Sequence, residues 1–179
     1  MDGRNIFIRD EKHEVFTWDS LGDIKTGRGD LGEDMPVLVY RLMQYTMLDV
    51  LTKAHGLDKA NDYFRQAGHL AGSEFAKNTL DMTVDFDTFV ANLQNALRGL
   101  KIGVLRMESF DPATGSLVLT VAQDLDCSGL PITGENVCIY DEGFIAGIIE
   151  TYTGKPYDVR EIDCWASGDR VCRFEATAR

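Results

Sequence analysis

The sequence predicts an α+β domain in which helices pack on an antiparallel sheet. Three observations carry this. Apolar residues recur at 3- and 4-residue spacing through positions 35 to 100, the period of helices. From residue 101 onward, β-rich runs alternate with turn-forming residues. One further helical stretch is inserted among those runs, and helices followed by strands make an α+β pattern. The length of 179 residues suits one domain.

Residues 1–34 read as an N-terminal extension with a short strand or loop. They are polar and rich in Gly and Asp. An apolar patch at Val15-Phe16-Thr17-Trp18 suggests a short strand, followed by a loop through Gly22 to Gly27. Residues 35–179 read as a single domain. From Met35 to Ala54 the spacing predicts a helix, with Val39, Met43, Met47, Val50 and Ala54 as its core stripe. Pro36 suits its first turn and Gly56 its end. Leu38, Leu42 and Tyr45 form a second apolar line, so this helix is expected to be covered on two sides, within the domain or at a dimer interface.

Asp58 can cap a second helix running to about Leu80. Its face repeats Phe64, Gly68, Gly72 and Ala76. Gly in a helix costs about 1 kcal/mol against Ala, so two on one face point to close helix contact or to space for a ligand. A third helix spans Asp87 to Leu100, with Phe89, Leu93, Ala96 and Leu100 inward. Lys101–Phe110 and Ser116–Gln123 are strand-like runs around the hairpin chemistry of Asp111-Pro112-Ala113-Thr114-Gly115. Residues 124–137 are a loop, and Ile139–Tyr152 is a helix with Phe144 and Ile148 facing in. Tyr157–Trp165 and Arg170–Ala176 form a last hairpin turning at Ser167-Gly168-Asp169.

Charge and composition exclude several function classes. Eighteen Lys+Arg against 29 Asp+Glu give −11, and no basic cluster interrupts that balance. Such a surface repels phosphate backbones and anionic lipids, so direct nucleic-acid binding is not expected. No phosphate loop or dinucleotide fingerprint is present. No run approaches the roughly 18 apolar residues that cross a bilayer, and Met1–Asp10 lacks the apolar stretch of a signal peptide. The expected setting is cytoplasmic, away from membranes.

The four cysteines, Cys127, Cys138, Cys164 and Cys172, all lie in the last third of the chain. Without a secretory signal, clustered cysteines point to metal binding or reactivity more than to disulfides. Cys138, Glu161, Cys164 and Cys172 offer three thiolates and a carboxylate, enough to close a tetrahedral zinc site. Cys127 and Asp163 are alternative donors, and four reduced, partly buried cysteines without metal are the plainer reading. Glu161 and Cys164 are three apart, on opposite faces of a regular strand, so a shared site requires a bulge.

The stretch Gly143-Phe144-Ile145-Ala146-Gly147, with Glu161-x-x-Cys164, Gly168-Asp169 and Cys172-x-Phe174, resembles the V4R (vinyl-4-reductase) domain. That family includes predicted hydrocarbon-binding proteins, bacteriochlorophyll-pathway proteins and the sensory domains of aromatic-responsive transcription activators. The resemblance implies structural zinc held by Cys138, Glu161, Cys164 and Cys172, with Cys127 outside the set. It implies a zinc-stapled C-terminal lobe, a fold similar to subunits of vesicle-tethering complexes, a homodimer, and a ligand pocket beside the zinc lobe. Phenol-sensing relatives hold the phenol hydroxyl with a histidine and a tryptophan. Here His13, His55, His69, Trp18 and Trp165 do not align with them. The activators' ATPase and DNA-binding domains have no counterpart in this sequence, so signalling would pass through a partner protein.

Four protein ligands leave zinc no open position, and no nucleophile–base pair is visible. The favoured function is a sensor or binding module for a small apolar or aromatic molecule. Phe64, Phe75, Phe89, Leu93, Met107, Phe144 and Ile148 are the candidate pocket residues, each also an ordinary core candidate. An enzyme or accessory subunit in tetrapyrrole or aromatic metabolism, and a dimeric scaffold, are the alternatives. Arg160, Arg170 and Arg173 could offset the negative charge of a thiolate centre.

Overall fold

The computed structural model describes residues 16–179. The expectations for Met1–Asp10, His13 and Val15 lie outside those residues. The chain divides into two compact units, one ending at Glu33 and one spanning Asp34–Arg179. Among the described residues of the first unit there is no strand. Trp18–Leu21 form a 3-10 turn and Ile24–Gly27 a one-turn helix, α1. Short polar side chains decide this locally. Thr17 N–H donates to Ser20 Oγ at 3.3 Å and Thr26 N–H to Asp23 Oδ1 at 2.9 Å, bonds that compete with extended backbone.

The second unit holds α2 (Val37–His55), α3 (Leu57–Thr79), α4 (Phe86–Gly99), β1 (Val104–Phe110), β2 (Leu117–Ala122), α5 (Ile139–Thr153), β3 (Tyr157–Asp163) and β4 (Cys172–Ala178). The sheet order is β1-β2-β4-β3, antiparallel throughout. The α+β class and every element of this unit agree with the sequence reading to within a few residues. Gly56 at φ +84° passes the chain directly from α2 to α3, so Asp58 lies in the first turn of α3 and not at its cap. Because β4 returns between β2 and β3, Phe174 and Ala176 have strands on both sides and are fully buried.

The core forms where α4 and α5 cover the sheet. Phe89, Val90, Leu93 and Leu97 of α4 are buried, as are Leu105, Leu117, Leu119 and Val121 of the strands. Each such side chain contributes roughly 1.5–3 kcal/mol on burial. Leu100, expected to face inward, is 58% exposed because the helix stops at Gly99.

The glycines of α3 resolve into close helix contact. α3 and α5 meet backbone to backbone. A Cβ on Gly68 or Gly72 would collide with the carbonyl oxygens of Tyr140 or Phe144. One on Gly143 or Gly147 would collide with those of Arg65 or His69. Four glycines, two from each helix, permit the approach.

The core stripe expected on α2 is not a core. Val39, Met43, Met47 and Val50 are 48–62% exposed, and no residue of this helix is buried. What fixes α2 is its polar side. Tyr40, Arg41, Gln44 and Tyr45 hydrogen-bond to residues 125–128 in the loop after β2. Apolar spacing reports an apolar face but says nothing of what covers it. No helix among the described residues is long and apolar enough to cross a membrane.

Candidate metal centre and adjoining cavity

Four separate segments deliver the cysteines to one place. Cys127 lies in the loop after β2, Cys138 is the N-cap residue of α5, Cys164 follows the end of β3, and Cys172 opens β4. All four are buried and reduced. Their sulfurs lie within 4.8 Å of one another. Cys138 Sγ is 3.8 Å from Cys164 Sγ and 3.7 Å from Cys172 Sγ, and Cys127 Sγ is 3.0 Å from Cys172 Sγ.

Local structure explains the convergence. The register of β3 slips between Glu161 and Asp163, the bulge that the spacing required. The turn after β3 is closed by bonds from Ser167 and Asp169 N–H to the Cys164 carbonyl at 3.2 and 3.0 Å, with Gly168 at φ +110°. That turn folds Cys172 back beside Cys164.

Glu161 is buried. Its Oε2 accepts from Cys138 N–H at 3.0 Å, while Oε1 has no hydrogen-bond partner. Glu161 N–H donates to Glu142 Oε1 at 3.0 Å, and Arg65 donates to Glu142 Oε2 from Nη2 at 2.6 Å. Of the four ligand candidates, Cys138, Cys164 and Cys172 are brought together, while Glu161 lies beside them on the Cys138 amide. Cys127, an alternative donor from the sequence that the resemblance leaves outside the ligand set, stands among the four clustered sulfurs. The one signal for it was that all four cysteines share the last third of the chain.

The electrostatics are those of a site short of positive charge. Burial pushes the Asp124 carboxyl up to about 7 and Glu161 up to about 8. Burial, then Asp126 and Asp124, push Asp141 well above the carboxylate range. Contact with the Cys127, Cys164 and Cys172 sulfurs, and then burial, push the Cys138 thiol up. The arginines do not supply the missing charge: Arg173 pairs with Asp163 and with Glu108 at 2.9 Å, and Arg160 and Arg170 are exposed. A divalent cation would relieve this crowding of acids. The donor set fits such an ion. Zn–S bonds of about 2.3 Å in a tetrahedron place sulfurs about 3.8 Å apart, and two of the spacings here are 3.7 and 3.8 Å.

Beside the centre, α4, α5 and the sheet enclose an apolar cavity of about 50 Å³. Phe89, Leu93, Met107, Phe144 and Ile148 line it, with Asp124 and Asp141 toward the cysteines. Phe64 and Phe75 do not line it, although Phe75 packs on Phe144 with ring centroids 5.4 Å apart. His69 Nε2 meets Glu150 Oε2 at 2.7 Å, and His55 packs edge-on against Tyr63.

Comparison with known proteins bears on the fold. An uncharacterized protein of Methanocaldococcus jannaschii is 29% identical over 146 residues, covering 82% of this chain and 80% of that protein. The phenol-responsive sensory domain of the transcription activator PoxR, solved with phenol, has a TM-score of 0.63 at 15% identity, over 82% of this chain and 78% of that one. A trafficking protein particle complex subunit 3 from Naegleria fowleri, covalently bound to palmitic acid, has a TM-score of 0.63 at 11% identity, over 80% and 95% of the two chains. At these identities the two structures attest a shared fold. The V4R domain model matches residues 117–178, from the first residue of β2 to the last of β4, and so takes in all four cysteines. Over that stretch the chain is similar to the V4R domain.

Proposed function

We propose that this chain is a zinc-containing module that binds a small apolar or aromatic molecule and acts through another polypeptide. The observation that carries the reading is the apolar cavity lying directly against the cysteine lobe. Zinc bound there supplies a structural cross-link between the start of α5, the β3–β4 turn and the start of β4. Cys138, Cys164 and Cys172 contribute thiolates, and a fourth protein donor, Glu161 or Cys127, closes the coordination so that no position is left for substrate. Cys138 also acts as the N-cap residue of α5, so it fixes the start of the helix that carries Phe144 and Ile148 into the cavity wall.

The cavity suits apolar ligands because burying a charge among Phe89, Leu93 and Ile148 without a partner is costly. It is smaller than the roughly 150 Å³ that admits benzene, so ligand entry requires side chains to move, and Met107 is the flexible one among them. The phenol-responsive neighbour supports a sensor role. The exposed apolar side of α2, with Leu38, Val39, Leu42, Met43, Met47 and Val50, supports a homodimer built on that helix.

Native mass spectrometry of freshly purified protein tests these points together. The expected species is twice the 20.0 kDa chain mass, with one zinc per chain and affinity for added apolar aromatics. Tight nucleotide binding without affinity for aromatics would defeat the ligand reading.

A further inference from the structure

We infer that Cys127, in place of Glu161, is the fourth ligand of the centre, making it an all-thiolate site. This rests on the zinc reading above. Either ligand set gives zinc a net charge of −2, so charge does not choose between them, and geometry does. The mutually close set is Cys127, Cys138, Cys164 and Cys172, and Glu161 is not a member of it. Glu161 Oε2 accepts from the Cys138 N–H at 3.0 Å, as a group that orients a ligand from outside does, and its buried Oε1 has no partner yet falls outside the mutually close donor set. Cys127 Sγ is 3.0 Å from Cys172 Sγ. That is well beyond a disulfide of about 2.05 Å and somewhat inside the tetrahedral edge of about 3.8 Å.

The loop that carries Cys127 is built to hold it still. Asp124 Oδ1 accepts from Asp126 N–H at 2.8 Å and from Cys127 N–H at 3.3 Å. From the other side Arg41 donates to the Leu125 and Ser128 carbonyls at 2.8 and 2.9 Å, bracketing Cys127. Tyr45 donates to the Asp126 carbonyl at 3.0 Å. Ligation through Cys127 thus ties the metal to α2, a helix whose apolar side is uncovered. The Cys3Glu set would leave that loop, and α2, outside the metal's reach.

X-ray absorption spectroscopy on the zinc-loaded full chain tests the inference, with competition against a chelator for affinity. Four sulfurs at about 2.3 Å are expected. Cys127→Ser should lose one sulfur from the shell and weaken zinc binding by more than about 100-fold. Glu161→Gln should keep four sulfurs and weaken it by no more than the roughly 10–100-fold typical of an outer partner. Hydrogen exchange over residues 40–45 should rise on chelation. Three sulfurs with one oxygen at about 2.0–2.2 Å in the unmodified chain would overturn the assignment in favour of Glu161, and needs no variant to fold. A Cys127–Cys172 disulfide in the mass spectrum would also overturn it. Failure of the unmodified chain to take up zinc at all would instead defeat the metal reading.

Discussion

The Tyr40 hydroxyl donates to Asp126 Oδ1 at 2.8 Å, joining α2 to the residue next to Cys127 across 86 positions of sequence. Gln44 Nε2 donates to the other oxygen at 2.7 Å. Asp126 is 2% exposed, and burial raises its carboxyl while these two bonds hold it down. Tyr40→Phe removes one of them and leaves a buried acceptor short of a donor. A loss of about 1–3 kcal/mol is expected, read as a lower urea midpoint with unchanged slope.

The α3–α5 interlock inverts the usual effect of replacing glycine. Gly143→Ala would ordinarily favour a helix, yet here the new methyl meets the Arg65 carbonyl. Overpacking should cost about 1–3 kcal/mol or more. Gly99, at the end of α4, has open space where a Cβ would go. Gly99→Ala should be neutral or stabilising by up to about 1 kcal/mol, and chemical denaturation of the pair would show opposite signs.

Light scattering tests the role of α2. Leu42 and Met43 are 57% and 62% exposed. Leu42→Lys with Met43→Lys should convert the dimer to a 20.0 kDa particle while leaving the circular dichroism unchanged. A single-chain particle for the unmodified protein at micromolar concentration would remove the dimer reading.

Zinc content should fall with pH. A ligating sulfur must be deprotonated, so each proton taken up as pH drops competes with the metal. Elemental analysis after dialysis at descending pH should show loss of metal on the acidic side and retention at neutral pH. Cys164→Ser and Cys172→Ser should abolish stoichiometric zinc and lower the melting temperature strongly, while secondary structure persists in part because the α4 core is independent of the cysteines.

Enlarging the cavity separates packing from binding. Leu93 is 7% exposed and lines it. Leu93→Ala should cost about 2–5 kcal/mol and raise affinity for a benzene-sized probe. Phe144→Asp should abolish that affinity, because a carboxylate there is buried without a partner. Calorimetric titration with a simple aromatic reads both.

The sequence by itself determined the α+β class and the order of helices and strands in the second unit, while the grouping of Cys138, Glu161, Cys164 and Cys172 was what the resemblance to the V4R family implied. The class and the element order are consequences of local period and turn chemistry, each written within a few residues. The bulge at Glu161 was legible too, because alternation along a strand makes it a condition of the site. The tertiary structure alone decided what covers each face. The Val39–Val50 stripe has the period of a core helix but lies uncovered in the single chain, since periodicity marks apolarity and not its partner. It also decided that Leu97, not Leu100, closes the α4 core, and that Phe64 and Phe75 stand apart from the cavity. Above all it placed Cys127, which meets Cys172 across 45 residues. No local pattern encodes that meeting: it depends on β2 pairing with β4 and on α2 clamping the loop between them, contacts that form only when the whole chain is folded.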